Sequence, residues 1–137
     1  MAGSYEVLDH TADTAIAVSA DSLEELVAWS VRGMVALMFD TNMQALETVA
    51  LRVEAQSWED LVVDLLAEVL WLMESADVVP VSTNEVSLGE YEVVLELGVA
   101  PRGHEELVGP PIKAVTYHEL RCESIAGGWM VRVIFDV

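Results

Sequence analysis

Two stretches of the chain place hydrophobic side chains at the 3.6-residue period of an amphipathic helix. Each begins with a serine that has an acidic residue three positions later, Ser22 with Glu25 and Ser57 with Asp60. In this capping box the serine hydroxyl accepts a hydrogen bond from a backbone N–H of the first turn. We therefore predict two helices, one over residues 22–39 and a longer, more buried one over residues 57–77.

The remaining hydrophobic residues alternate with polar ones, which is the two-residue period of half-buried β-strands. The predicted strands cover residues 5–8, 15–20, 49–55, 79–88, 91–99, 112–123 and 129–137. Proline and glycine predict a surface loop over residues 100–111, and Gly127-Gly128 predicts a hairpin. The expected fold is one α+β domain spanning residues 1–137, with two helices packed on a mostly antiparallel β-sheet.

The acidic composition of the chain argues against proteins that bind nucleic acid or anionic membranes directly. The 137 residues include 24 acidic and only 6 basic ones, for a net charge of −18, yet 53% are hydrophobic. This hydrophobic content is typical of a folded core and not of a disordered acidic tail. Direct binding to nucleic acid or to an anionic membrane is not expected, because phosphate groups attract basic surfaces.

The sequence shows neither a secretory signal nor an apolar membrane span, so we expect a cytoplasmic protein.

Acidic residues gather at two places that could form one site. Asp9, His10 and Asp13 lie between the first two predicted strands, where side chains can converge, although a plain polar turn is the alternative. Asp136 and the terminal carboxylate of Val137 are adjacent anions, although a solvated chain end is the alternative. If Asp13 folds beside them, the three groups offer the hard oxygen ligands that suit Ca²⁺ or Mg²⁺.

A lysine, two histidines and a cysteine are the other candidate functional residues. Lys113 is the sole lysine and stands at the start of a predicted strand, where it is either a solvated charge or an ion-pair partner of the acidic site. His10 and His118 are each a ligand, a general base or, most commonly, a core histidine. Cys122 is expected to be a buried apolar residue. The sequence contains no nucleotide-binding loop, serine elbow or Cys-His nucleophile pattern, which argues against a standard kinase or hydrolase.

Three separated segments together resemble the motifs of the archease family. They are Tyr-Glu-Val-Leu-Asp-His-Thr-Ala-Asp at residues 5–13, Ile-Lys-Ala-Val-Thr-Tyr-His at 112–118 and Phe-Asp-Val at 135–137. The resemblance covers essentially the whole chain. One departure is Thr14-Ala15, where the family usually has an aliphatic residue and glycine, so the backbone after Asp13 need not follow the family pattern.

The resemblance implies an accessory protein and not a stand-alone enzyme. Archease proteins assist the RtcB-type RNA ligase of tRNA splicing and RNA repair by promoting formation of the ligase–guanylate intermediate and repeated turnover. The implied cofactor is a divalent cation, expected to be Ca²⁺, with Mg²⁺ or Mn²⁺ as alternatives. Carried over by motif, its ligands are Asp13, Asp136 and Val137. The implied ligase-activating and partner-binding residues are Asp9, His10, Lys113 and His118.

Two rival functions remain open from the sequence. One is a small divalent-metal-dependent hydrolase that would use Asp13, Asp136 and His10 and would turn over without a partner. The other is a general chaperone or scaffold, which would need no metal and would tolerate loss of Asp13.

Overall fold

The structure is a computed structural model that describes the backbone of residues 3–9, 13–102 and 107–137, and their side chains except those of residues 8, 9 and 13. Its two helices are α1 (Leu23–Met38) and α2 (Trp58–Ala76). Both predicted caps are confirmed: the Ser22 hydroxyl accepts from the Glu25 N–H at 3.2 Å, and the Ser57 hydroxyl accepts from the Asp60 N–H at 3.1 Å.

The strands of the described ranges form two antiparallel sheets. In chain order they are β1 (Gly3–Asp9), β2 (Asp13–Ala20), β3 (Glu47–Glu54), β4 (Val78–Gly89), β5 (Glu92–Pro101), β6 (Ala114–Val115), β7 (Arg121–Ile125) and β8 (Gly128–Asp136). The first sheet has the order β1-β2-β8, and the far edge of β8 pairs with β6 and β7 in succession. The second sheet has the order β3-β5-β4.

The helices join the two sheets through a shared hydrophobic core. Helix α1 contacts β1, β2 and β8 of the first sheet as well as β4 of the second, and α2 contacts strands of both sheets. The largest fully buried side chains come from both helices and both sheets, and include Ile16, Leu26, Met34, Leu61, Leu65, Leu95, Leu97 and Phe135. The predicted α+β class is confirmed, with the antiparallel strands divided between two sheets.

One predicted strand is wrong in its extent. Residues 112–123 do not form a continuous strand, because a turn separates β6 from β7. In that turn the Leu120 N–H donates to the Tyr117 carbonyl at 3.2 Å, and Glu119 has a φ of 51°. A strand's alternation of faces does not continue across such a turn: His118 is exposed, whereas Cys122 is buried, as predicted.

Candidate functional site

The three motif segments meet at one end of the first sheet. The pairing of β2 with β8 places Asp13 directly opposite Asp136, and the pairing of β6 with β8 places Ala114 on the other side of Asp136. The Lys113 N–H also donates to the Asp136 carbonyl at 2.7 Å. Residues far apart in sequence are thus held together by main-chain hydrogen bonds, independently of their side chains.

The alignment of Asp13 with Asp136 puts two carboxylate residues at facing positions. Directly opposed residues of antiparallel strands have β-carbons about 4.5–5.5 Å apart, and like charges there repel. This register therefore fits a site in which one cation is shared by two acidic residues. The side chain of Asp13 lies outside the described part of the structure, so the fit rests on backbone register and on the chemistry of the donors.

A second carboxylate pair in the molecule shows how such repulsion can be relieved. Glu54 and Glu92 are also directly opposed, on β3 and β5. The Arg52 guanidinium bridges them, at 2.6 Å from Glu54 Oε1 and 3.2 Å from Glu92 Oε1. The pKa of Arg52 is raised, chiefly by its hydrogen bond to Glu92 and by the charge of that residue. The Arg52 side chain thus offsets the repulsion between Glu54 and Glu92, as a metal ion would offset the repulsion between Asp13 and Asp136.

Asp136 has no such protein cation among the described side chains. It is exposed at the end of β8, and no described lysine or arginine lies within ion-pairing distance of it. Val137 is half-buried and packs against the core. The described side chains contain no group of three or more His, Cys, Asp or Glu residues able to hold a metal ion. Asp13 is not among the side chains described.

The backbone of Lys113 is hydrogen-bonded to Asp136, but Lys113 also lines a separate cleft. Ala114, not Lys113, is the register partner of Asp136. Lys113 lines a cleft beside the ends of the two helices, together with residues such as Met73 and Arg102. The ion pair that the sequence allowed between Lys113 and the acidic site is not formed with Asp136, and among the described residues Lys113 has no carboxylate partner.

Of the other predicted site residues, the structure describes His118 fully, Asp9 only in its backbone, and His10 not at all. Asp9 ends β1 with its backbone opposite Thr14, and its side chain lies outside the described set. His10 lies wholly outside the described residues. His118 is exposed in the turn after β6, and its backbone N–H donates to Thr116 Oγ1 at 3.3 Å. It is therefore not a core histidine, and it is free to meet a partner.

The pKa values of two residues in the segment that follows β6 are raised. Burial raises the pKa of the Cys122 thiol to about 12, with smaller contributions from the charges of Glu59 and Glu123, so this thiol is protonated at neutral pH. The pKa of Tyr117 is also raised, first by desolvation and then by the acidic side chains of Asp64 and Asp60 on α2. Sequence reasoning missed the proximity of Tyr117 to α2, because it arises from tertiary packing across about 50 residues of chain.

Within the described ranges, neither α1 nor α2 combines the length and the apolarity that crossing a membrane would require.

Comparison with known proteins agrees with this architecture. The family model described as the archease protein family (MTH1598/TM1083) matches residues 5–137. Protein archease of Methanosarcina mazei is 32% identical over 139 residues, covering 97% of this chain and 95% of that protein. Protein archease of Thermoplasma acidophilum is 29% identical over 136 residues, covering 98% and 94%.

Two solved structures share the fold. The solution structure of Methanobacterium thermoautotrophicum protein 1598 aligns with a TM-score of 0.77 at 22% identity, covering 97% of this chain and 98% of that one. The crystal structure of a Thermotoga maritima archease, described as a possible chaperone, aligns with a TM-score of 0.66 at 22% identity, covering 95% and 94%. With the family model matching nearly every residue, the chain belongs to the archease protein family.

Proposed function

We propose that this protein is an accessory activator of an RtcB-type RNA ligase in tRNA splicing and RNA repair, acting in the cytoplasm. It would promote formation of the ligase–guanylate intermediate and so allow the ligase to turn over repeatedly. The observation that carries the proposal is the strand register that brings the three motif segments to one end of the first sheet. Membership of the archease family supports it.

The acidic end would act as a tip that enters the ligase. Asp13, Asp136 and Val137 would hold a divalent cation, for which Ca²⁺ is the first candidate because all their donors are hard oxygens. When bound, the cation supplies positive charge that can help to arrange nucleotide phosphates. Asp136 is exposed at the end of its strand and is thus accessible to a partner. Asp9, His10, Lys113 and His118 would provide the surrounding contacts.

Among the described residues, Cys122 is not an activated nucleophile. Cys122 is buried and its pKa of about 12 keeps it protonated, which makes it a poor nucleophile. His118 is exposed, and the hydrogen bond it makes is through its backbone. The tip would then work by placing groups around the ligase's own reacting atoms, which raises their effective concentration.

The partner's expected chemistry follows from charge. An RNA ligase must present basic surface to its substrate, and a protein with a net charge of −18 is attracted to such a surface from a distance. The same acidity argues against direct RNA binding by this chain. It would therefore act on RNA chemistry by docking on the enzyme that holds the RNA.

A multiple-turnover ligation assay tests the proposal. The ligase is used at a concentration well below that of its RNA ends, with GTP and a divalent cation, and with or without this protein. Wild type should sustain turnover, whereas Asp136→Asn should lower the rate at least tenfold. Glu85→Gln is the matched control, because Glu85 opposes Glu96 on β4 and β5, so it also removes one of two facing carboxylates. Full stimulation by Asp136→Asn would contradict the proposal.

A phosphate-ester assay without ligase, together with the ligation assay, separates the rival functions. A metal-dependent hydrolase would cleave a model phosphate ester with Mg²⁺ or Mn²⁺ in the absence of ligase. A general chaperone, the role suggested for the Thermotoga maritima relative, would stimulate the ligase without metal and would retain this effect in Asp136→Asn.

A further inference from the structure

A cleft of about 340 Å³ opens where the two helices end beside the segment that leads into β6. Its apolar lining comes from three parts of the chain and consists of Met38, Phe39, Leu70, Met73, Pro111 and Ile112. Three charged residues complete it, namely Glu74, Arg102 and Lys113. A volume of this size is at the lower end of the range of about 300–1,000 Å³ typical of small-molecule sites.

The walls of the cleft are fixed by specific contacts. The Val108 N–H donates to the Met38 carbonyl at 2.8 Å, and the Ile112 N–H lies 3.4 Å from Met38 Sδ. These bonds attach the segment before Lys113 to the end of α1. The Arg102 N–H donates to the Asp77 carbonyl at 2.8 Å, and its guanidinium carbon lies 5.0 Å from the centre of the Phe39 ring.

The charge of the cleft is unusual for this protein. Arg102 and Lys113 are two of only six basic residues in a chain with a net charge of −18. Arg52 and Arg132 each form an ion pair with glutamate. Arg32, Arg102, Lys113 and Arg121 form no ion pair among the described residues. Of these four, only Arg102 and Lys113 line this cleft, and neither is within ion-pairing distance of Glu74. The cleft therefore combines an apolar floor with two cations that have no ion-pair partner among the described residues.

We propose that this cleft binds a small organic anion with an apolar body, such as an aliphatic monocarboxylate. The carboxylate would lie between Arg102 and Lys113, where charge-assisted hydrogen bonds are available, and the alkyl chain would cover Met73 and Ile112. This inference goes beyond the proposed role in RNA ligation and does not depend on it. A purely structural role is the competing explanation, because cations near helix C-termini are favourable by themselves. That explanation predicts no affinity for an anion.

The sole lysine provides a direct reporter of binding. Reductive methylation with ¹³C-formaldehyde labels Lys113 and the N-terminal amine while keeping the charge of the lysine. Titration with n-hexanoate should shift the Lys113 signal saturably. Acetate, which has the charge without the body, should bind at least tenfold more weakly, because each buried methylene contributes about fourfold in affinity. n-Hexylammonium, which has the body with the opposite charge, should not saturate.

Variants assign the binding to the cleft. Arg102→Met keeps an apolar stem over Phe39 and should weaken hexanoate binding about tenfold by calorimetry, and Lys113→Met should do the same. Arg52→Met removes a basic residue at a distant site and should leave binding unchanged. Circular dichroism confirms that each variant is folded.

Three results would overturn the inference: no saturable hexanoate signal, equal binding of hexylammonium, or full affinity in both cleft variants. Any of these would mean that the two cations do not form an anion-binding site. The hexanoate-binding assays contain neither ligase nor divalent metal, so such a result leaves the ligase proposal intact. Asp136→Asn should bind hexanoate normally, so failure of one proposal can be distinguished from failure of the other.

Discussion

The charge of Asp136 should change the stability of the protein in opposite directions with and without a divalent cation. Asp136→Asn keeps the size of the side chain and removes its charge, leaving Asp13 opposite a neutral residue. Without cation, directly opposed like charges destabilise a strand pair by roughly 0.2–1 kcal/mol. For a chain of 137 residues, 1 kcal/mol corresponds to about 3.5 °C in the unfolding midpoint. In EDTA the variant should therefore melt roughly 1–3 °C above wild type.

With cation the order should reverse. An ion that binds only the folded state at a hundred times its Kd stabilises that state by about 2.7 kcal/mol. This corresponds to about 9 °C for a protein of this size. Wild type should gain this increment from Ca²⁺, whereas Asp136→Asn should lose most of it. A reversal in the order of the two unfolding midpoints between EDTA and Ca²⁺ distinguishes a shared cation site from simple repulsion between neighbouring carboxylates.

The assay is thermal unfolding followed by circular dichroism at low ionic strength, in EDTA and over a series of CaCl₂ concentrations. Glu85→Gln serves as the control, since it relieves the facing pair Glu85–Glu96 elsewhere in the molecule. It should melt slightly higher in EDTA and still respond to Ca²⁺ as wild type does. If Asp136→Asn responds to Ca²⁺ as strongly as wild type, or if Glu85→Gln loses the response equally, the site assignment is wrong.

Four further results are expected. Gly109→Ala should destabilise the protein by about 1–3 kcal/mol in thermal melts, because its methyl group would collide with the Leu37 carbonyl oxygen; Gly89→Ala, which has room, should have little effect. Ser57→Ala should cost about 1 kcal/mol in urea unfolding, through loss of the α2 cap. Cys122, with a pKa raised to about 12, should react with iodoacetamide at pH 8 only after unfolding, and its contribution to stability should be lost as the pH rises from about 9 towards 12. Association with the ligase should slow steeply from low to physiological salt in stopped-flow measurements, and a rate independent of salt would count against charge steering.

The elements with local chemical signals were predictable. The serine caps of both helices were correct to the residue, because the Ser-x-x-acid pattern specifies a hydrogen bond within one turn. The hairpin near Gly127 was also predictable, since its φ of 82° is one that glycine adopts readily. The turn at Glu119 was missed because its φ of 51° is adopted by a residue that gives no turn signal of its own.

The site was predictable as a set of motifs but not as a geometry. The family resemblance indicated the three segments, and only the strand register shows that Asp13 and Asp136 face each other across β2 and β8. The position of Arg102 was not predictable, because it stands in a loop and lines the same cleft as Lys113 only through the packing around two helix ends. Register and packing depend on contacts between distant parts of the chain, which a single sequence does not display.

The most direct test of the central claim is covalent guanylylation of the ligase. Ligase that has been freed of bound nucleotide is mixed with α-labelled GTP, and formation of the labelled ligase is followed over time with and without this protein. Wild type and Glu85→Gln should accelerate labelling in the presence of divalent cation, and Asp136→Asn should not. If labelling proceeds at the same rate with wild type, with Asp136→Asn and with no added protein, the account of this chain as a ligase activator is contradicted.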